Sequence, residues 1–205
     1  MSLNFPIELI GNRAGGGVTF ATLLYDSGDN LLVSIETDIP DNWNDNNTPY
    51  DVFRLEIGTS CTSIGANAFS NSTNLSGDLV IPDSVTTIAT RAFYNNNSLD
   101  GDLVIGNGVT TIGSYAFMDT NSASITIGES VSTIDRNAFY RNSNDWSNVN
   151  FVRCLNPEPA TLGLYVFWYP ALSKEIPLYV PNGAAASYNS TGYPWTLFTI
   201  IEDPA

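Results

Sequence analysis

The sequence predicts an α/β solenoid, rich in β-structure, in which a ladder of parallel strands alternates with short helical or 3₁₀ returns. An apolar triplet of the form Leu-x-Ile, or Ile-x-Ile in the fourth unit, begins each unit, and an Ala-Phe pair follows it. The phenylalanines of these pairs fall at positions 69, 93, 117 and 139, in steps of 24, 24 and 22 residues. Between triplet and pair, a small apolar residue and an isoleucine three positions later recur: Cys61 and Ile64, Val85 and Ile88, Val109 and Ile112, Val131 and Ile134. A fixed period with the same apolar positions refilled indicates stacked repeats that share one core.

A β-hairpin is predicted before the first repeat. Residues 1–17 form a glycine-rich lead-in, and residues 18–25 and 31–36 have the apolar and β-branched composition of strands. Residues 26–30, Asp-Ser-Gly-Asp-Asn, supply the turn between them. The N-terminal region therefore carries a hairpin of its own.

The boundary between hairpin and repeats is open to two interpretations. Ile35 precedes Ile57 by 22 residues, so the second strand of the hairpin could also be a degenerate first rung of the ladder. Residues 38–50, with two prolines and several asparagines, are predicted to be a loop.

Within each repeat, strand alternation sends the two outer residues of the triplet into the core and the middle residue to the opposite face. Pro82 or Gly106 then ends the strand, and runs of Asn and Ser form the outer loops. Asp78 and Asp102 each lie between a glycine and a strand, and we expect them to cap turns. The middle residues are Glu56, Val80, Val104 and Thr126.

Two segments carry a resemblance to a known family. Residues 81–88 read Ile-Pro-Asp-Ser-Val-Thr-Thr-Ile, and residues 64–69 read Ile-Gly-Ala-Asn-Ala-Phe. On these motifs the chain resembles the BspA-like class of leucine-rich repeats over about residues 52–202, and its tail from residue 157 is similar to the C-terminal cap of that family. The resemblance implies a leucine-rich-repeat solenoid, and it implies surface adhesion, host-protein binding or structural display as functions.

Three regions are predicted from these patterns. Residues 1–50 form an N-terminal hairpin that serves as an attachment and capping segment. Residues 51–150 form the solenoid of four regular repeats. Residues 151–205 form a degenerate repeat and the C-terminal cap.

The charge balance narrows the range of partners. The chain has 21 acidic and 7 basic residues, for a net charge of −14. Phosphate groups are repelled by such a surface, so nucleic acid and anionic membranes are poor partners. There is no run of about 18 apolar residues that could insert into a bilayer. The N-terminus shows no basic, apolar and cleavage-site pattern of a signal peptide, so ordinary secretion is not expected.

The residue inventory argues against an enzyme. The absence of histidine removes Ser-His and Cys-His nucleophile pairs and histidine-based zinc sites. Residues 11–17 are glycine-rich but lack the Lys-Ser/Thr of a phosphate-binding loop. No spacing brings two carboxylates together for glycoside cleavage. We expect no catalytic residue and no cofactor.

Two further residue groups have structural interpretations. Cys61 takes the slot of Val85, which predicts a small buried hydrophobe; Cys154 lies about four rungs away, or roughly 19 Å, too far for a disulfide. Asp41, Asp45 and Asp51 do not match a calcium-loop pattern and are interpreted as a solvated loop, with calcium binding left open.

Candidate contact residues lie on two surfaces. The middle residues Glu56, Val80, Val104 and Thr126 are predicted on the concave face, either as ordinary strand formers or as a contact patch. Along the edge, Tyr94, Tyr140 and Trp146 are candidate aromatic contacts. The four tryptophans lie outside the regular units, where they either cap the array or stack on sugars.

The leading hypothesis is a non-enzymatic recognition or display module that presents its surface to another protein, a particle or a cell. A phage virion decoration or fibre-associated protein fits a chain in which no signal peptide is visible. The expected location is a virion or an extracellular surface, reached after synthesis in the cytoplasm. A bacterial cell-surface adhesin fragment and a carbohydrate-binding module with Trp and Tyr platforms are the alternatives. Self-association through the ends of the ladder is left open.

Overall fold

The structure of the protein is a computed structural model that describes residues 22–25, 27–28, 31–35, 38–43, 54–143, 146–167, 176–191 and 194–203. The glycine-rich lead-in, Asp45, Asp51 and Trp168 lie outside these residues. Within them, the chain forms a stack of rungs whose strands belong to one long sheet, one short sheet and one N-terminal sheet.

The N-terminal sheet contains the predicted hairpin. Strand β1 (Thr22–Tyr25) pairs antiparallel with β2 (Leu31–Ile35) on one side and with β3 (Arg54–Glu56) on the other. The hairpin is confirmed, but the interpretation of Ile35 as part of a first rung is wrong. Successive rungs of the solenoid pair directly with one another, whereas β1 lies between β2 and β3, so β2 does not stack on the first repeat.

Part of the predicted loop acts as the first rung instead. Ile39 bridges to Ile64 in parallel, and the backbone N–H of Gly65 donates to the Ile39 carbonyl at 2.7 Å. Trp43 is buried at the end of this segment and lies against Phe69. Residues 38–43 therefore continue the stack, because burying Ile39 and Trp43 covers its otherwise open apolar end.

The long sheet is made by the Leu-x-Ile triplets and their successors. Its strands are parallel and in the order of the chain: β5 (Leu79–Ile81), β7 (Asp102–Ile105), β9 (Ser124–Ile127), β11 (Phe151–Cys154), β13 (Pro177–Val180) and β14 (Thr199–Glu202). Alternation buries Leu79 and Ile81 and exposes Val80, as predicted.

A short sheet lies between the triplets and the Ala-Phe pairs, where the sequence pattern indicated no strand. Its two-residue strands are β4 (Ser63–Ile64), β6 (Thr87–Ile88), β8 (Thr111–Ile112), β10 (Thr133–Ile134) and β12 (Thr161–Leu162), all parallel. Ile64, Ile88, Ile112 and Ile134 point from this sheet into the core. Two residues are too short for a periodicity signal, so the sequence does not reveal these strands.

The returns are chains of 3₁₀-type turns and not continuous helices. Ala92 and Tyr94 donate to the carbonyls three residues earlier, while Arg91 and Phe93 donate to the next rung. This alternation depends on positive φ, for example 57° at Arg91 and 58° at Asn95. Because left-handed residues interrupt a helix, every second N–H is free to join neighbouring rungs.

The core is organised around a column of stacked phenylalanines. Phe69, Phe93, Phe117, Phe139 and Phe167 lie with ring centroids 5.3–5.5 Å apart and interplanar angles of 3–15°. The predicted alignment of four rings is confirmed, and Phe167 adds a fifth. The repeat of 22 to 28 residues thus places one ring in each rung.

The C-terminal segment closes the column. Helix α1 (Ala185–Ser190) and a 3₁₀ turn (Trp195–Leu197) carry the residues that cover it. The ring centroids of Trp195 and Phe198 lie 5.6 and 5.3 Å from that of Phe167. The aromatic column is therefore covered at both ends, by Trp43 and by these two residues.

Candidate interaction surface

The outward face of the long sheet brings three of the predicted contact residues together. Val80 lies opposite Val104, and Val104 lies opposite Thr126. Val80 is 54% exposed, and the other two are half-buried. Neighbouring strands are separated by about 4.8 Å, so the three side chains form one continuous row.

The row extends beyond the residues that sequence reasoning identified. Thr126 lies opposite Arg153, Arg153 opposite Tyr179, and Tyr179 opposite Ile201. We refer to the six residues Val80, Val104, Thr126, Arg153, Tyr179 and Ile201 as the outward row. The signal was present in the triplets Val152-Arg153-Cys154 and Leu178-Tyr179-Val180, which repeat the apolar-x-apolar pattern after a longer interval.

Arg153 organises the C-terminal half of the row. Its guanidinium carbon lies 5.1 Å from the Tyr179 ring and 5.4 Å from the Phe151 ring. Its Nη2 donates to Asp203 Oδ1 at 3.3 Å, and Nε lies 3.1 Å from Oδ2 of the same carboxylate. The positive charge is balanced within the sheet, and the two aromatic rings are held in place around it.

Glu56, the fourth predicted residue, lies on the far side of a break in the ladder. Strand β3 pairs with β1, and within the described residues no ladder joins β3 to β5. Between them is a cleft of about 420 Å³, here called the β3–β5 cleft. The cleft is lined by Arg54, Leu55, Glu56, Ile57, Ser76, Gly77, Asp78 and Val80. Glu56 and Val80 thus face the same cavity, with the Glu56 carboxylate accepting a hydrogen bond from Arg54.

Carboxylates lie beside the row. Asp78 and Asp102 are two residues before Val80 and Val104, so they share their face of the sheet. Asp78 Oδ1 accepts from the Asp102 N–H at 2.8 Å, and Asp102 Oδ1 accepts from Ser124 Oγ at 2.6 Å. Both bonds link one rung to the next, whereas turn capping would bind the aspartate's own turn, so the turn-capping prediction is not confirmed.

The edge aromatics divide into two groups. Tyr94 and Tyr140 are half-buried at the loop edge, where the sequence placed them. Trp146 is 4% exposed, packs edge-on against Phe167 and lies 4.9 Å below the Arg141 guanidinium carbon. The prediction of Trp146 as a surface contact is therefore wrong. The loop folds its indole into the core, where burying a large apolar ring is favourable.

Tryptophan platforms for sugar stacking are not supported by the described residues. Trp43 and Trp195 are 5% and 2% exposed and cover the column ends, and Trp146 is buried as well. Capping, the other interpretation of these residues, is what the structure shows for Trp43 and Trp195, whereas Trp146 packs edge-on against Phe167.

A polar cleft of about 490 Å³ lies at the loop edge. Its lining combines amide, hydroxyl, carboxylate and guanidinium groups from Asn95, Asn97, Asp119, Thr120, Asn121, Arg141, Asn142, Ser143 and Asn148. These residues bind one another: Asp119 accepts from the Asn142 N–H at 2.6 Å, and Asn148 Nδ2 donates to Asn121 Oδ1 at 3.1 Å. The cleft is thus a hydrogen-bonded loop network with an open side.

Among the described residues, no three His, Cys, Asp or Glu side chains are grouped to hold a metal ion. Asp41, one of the predicted acidic loop residues, uses its carboxylate to accept from the Ala66 N–H at 2.5 Å. Asp38 does the same for the Thr62 N–H, which is the main cause that lowers the pKa of its carboxyl. Asp38 and Asp41 therefore link their own rung to the next one through hydrogen bonds.

Comparison with known sequences agrees with this geometry. A family model described as BspA type leucine-rich repeat region matches residues 50–169 in six copies. A search of curated proteins found no match. The matched range covers the stacked rungs of the long and short sheets up to Phe167, whereas the proposed resemblance beyond residue 169 lies outside it.

In the part of the chain that the structure describes, no helix combines the length and apolarity needed to cross a bilayer.

Proposed function

Since the chain belongs to the BspA-type leucine-rich repeat proteins, a family whose fold serves protein interaction, we propose that it is a non-enzymatic recognition module that binds another protein through the outward row. The observation that carries this proposal is the row itself. Six side chains lie side by side on a rigid sheet, and Val80, Val104, Tyr179 and Ile201 among them are apolar or aromatic. Two apolar pairs, separated by Thr126 and Arg153 and with carboxylates along their side, give the mixture of apolar and polar groups that is typical of interaction sites.

The composition of the row resembles that of binding hot spots. Tyrosine and arginine are enriched among residues that dominate binding energy, and the stack of Phe151, Arg153 and Tyr179 is already ordered. An ordered surface loses little side-chain entropy when a partner binds. The absence of histidine and the two buried thiols support a role without catalysis.

Photo-crosslinking in the producing cells tests this proposal. With p-benzoylphenylalanine in place of Thr126, we expect a discrete protein adduct, and Tyr179→Ala should reduce its yield roughly tenfold through loss of a hot-spot side chain. The same photo-reactive residue at Tyr165, an exposed position on a return, is the control. Equal adducts from both positions, or none from Thr126, would contradict the assignment.

We extend the proposal to location. Display on a phage particle, as a decoration or fibre-associated protein attached through residues 1–50, is supported by a hairpin that lies outside the repeats. Display on a bacterial cell surface as an adhesin is the alternative. Mass spectrometry of purified particles and of surface-shaved cells from the native source separates the two. Recovery of the chain from neither would reject both.

A further inference from the structure

The β3–β5 cleft interrupts the outward face next to its most exposed valine. We propose that this cleft anchors the partner protein by receiving a lysine or arginine side chain from an extended segment that lies along the outward row. The inference rests on the proposed function and specifies the chemistry of the partner.

The spacing of the two strands favours a side chain over a strand. Cα atoms of β3 and β5 approach within 8 Å, whereas inserting a strand between them needs about 9.6 Å, twice the normal strand separation. Within the described residues, no ladder hydrogen bonds fill the gap between the two strands. A cavity of about 420 Å³ in that gap is thus open to single side chains.

The walls of the cleft fit a long aliphatic stem. Leu55, Ile57 and Val80 supply apolar surface, and the 54% exposure of Val80 means that much of that surface is in contact with water. Lysine and arginine cover apolar surface with their methylene groups while the charged head stays at a polar rim.

The rim is acidic. Glu56 and Asp78 both line the cleft, and Asp102 binds Asp78 from the neighbouring strand. Among the described lining residues, Arg54 is the one cation, and it already forms an ion pair with Glu56. Because the described part of the lining offers Asp78 no second basic residue, a partner's cation complements the local charge.

The rest of the outward row shows no preference for a basic partner residue, because the charge of Arg153 is already neutralised by Asp203. Selectivity for a basic residue is therefore expected at the N-terminal end of the face, with apolar contacts along Val104 and Tyr179. An extended segment is the natural ligand for a row of evenly spaced side chains.

The test uses a randomised peptide display library selected against the immobilised full-length chain. We expect selected peptides to contain a lysine or arginine near apolar residues and to bind more weakly as salt is raised. Asp78→Asn keeps the oxygen that accepts from the Asp102 N–H but removes the charge, and it should weaken binding roughly two- to fivefold. Asp83→Asn is the matched control, since Asp83 Oδ1 accepts from the Asn107 N–H in the same way outside the cleft.

The outcomes separate the two proposals. Peptides that require Tyr179 but not the charge of Asp78, or that carry acidic or only apolar residues, overturn the basic anchor and leave the outward row as the binding surface. Peptides insensitive to both Tyr179→Ala and Asp78→Asn, or no selected peptides at all, overturn the proposed function and this inference with it. A weakening by Asp83→Asn equal to that of Asp78→Asn assigns the effect to net charge and also overturns the anchor.

Discussion

Cys61 occupies the position that Val85 fills in the next rung, and Cys154 lies opposite Ile127 in the long sheet. Both thiols are free and buried, as expected for cysteines that replace aliphatic residues. Burial disfavours the charged thiolate, which raises the pKa of Cys61 and raises that of Cys154 to about 12. At the scale of single residues, the most nucleophilic side chains of the chain are therefore kept neutral.

This shift predicts both reactivity and pH dependence. Iodoacetamide should leave both thiols unlabelled in the native protein near neutral pH and label them after unfolding in guanidinium. Because the pKa of Cys154 is raised in the folded state, its contribution to stability is full below the unfolded-state value of about 8.5 and is lost as pH rises toward 12.

Urea unfolding at increasing pH measures the second effect. The stability of the natural chain minus that of Cys154→Ala should shrink steadily across this alkaline range. A constant difference, or rapid alkylation of the native protein, would show that the thiol at 154 is accessible to water.

At the scale of the element, the solenoid depends on contacts between successive turns. Asp83 Oδ1 accepts from the Asn107 N–H at 2.6 Å, and Asn107 Oδ1 accepts from the Glu129 N–H at 3.1 Å. These bonds use the polar side chain of one rung to satisfy the backbone of the next. They also bring the backbones of adjacent turns close together.

Gly128 lies where the backbones of two adjacent turns come close together. A Cβ at this position would lie 2.3 Å from the Gly106 carbonyl oxygen, so Gly128→Ala requires the backbone to shift. We expect a loss of about 1–3 kcal/mol, measured as a lower midpoint of chemical unfolding. Ser130→Ala, two residues along the same turn and exposed, is the control and should change the midpoint little. Equal midpoints for the two variants would mean that the rungs separate easily.

At the scale of the whole molecule, the stability of the terminal rungs depends on the residues that cover the two ends of the phenylalanine column. Trp43 covers one end, and Trp195 with Phe198 covers the other. In a repeat array each unit is stabilised by its neighbours, so a terminal unit without a cap opens first.

Trp195→Ala should therefore act locally. The variant exposes Phe167 and leaves a cavity, which we expect to lower the stability of the C-terminal rungs by about 3–5 kcal/mol. Amide hydrogen exchange should therefore become faster in residues 151–203, while residues 79–117 keep their protection. Uniformly faster exchange along the chain would show that the array unfolds as a single cooperative unit. Unchanged exchange would show that Trp195 does not act as a cap.

Much of the architecture follows from the local pattern. The 22- to 24-residue period located the phenylalanine column, and alternation in the triplets assigned Val80, Val104 and Thr126 to one face. Residues that break the period were harder to interpret. Phe167 follows Phe139 after 28 residues, so the sequence indicated only a degenerate repeat there, and Arg153 was not identified as part of the outward row.

The sequence by itself determined the repeat, the shared apolar core and the face on which each triplet residue lies, because these depend on the alternation of neighbouring side chains along one strand. Only the tertiary structure decided which segments cover the ends, where the ladder breaks and which indoles are buried. Ile39, β3 and Trp146 acquire their roles from segments distant in the chain: Ile64, β1 and Phe167. Such contacts depend on how separate turns meet in space, and the composition of a single repeat does not encode that distance.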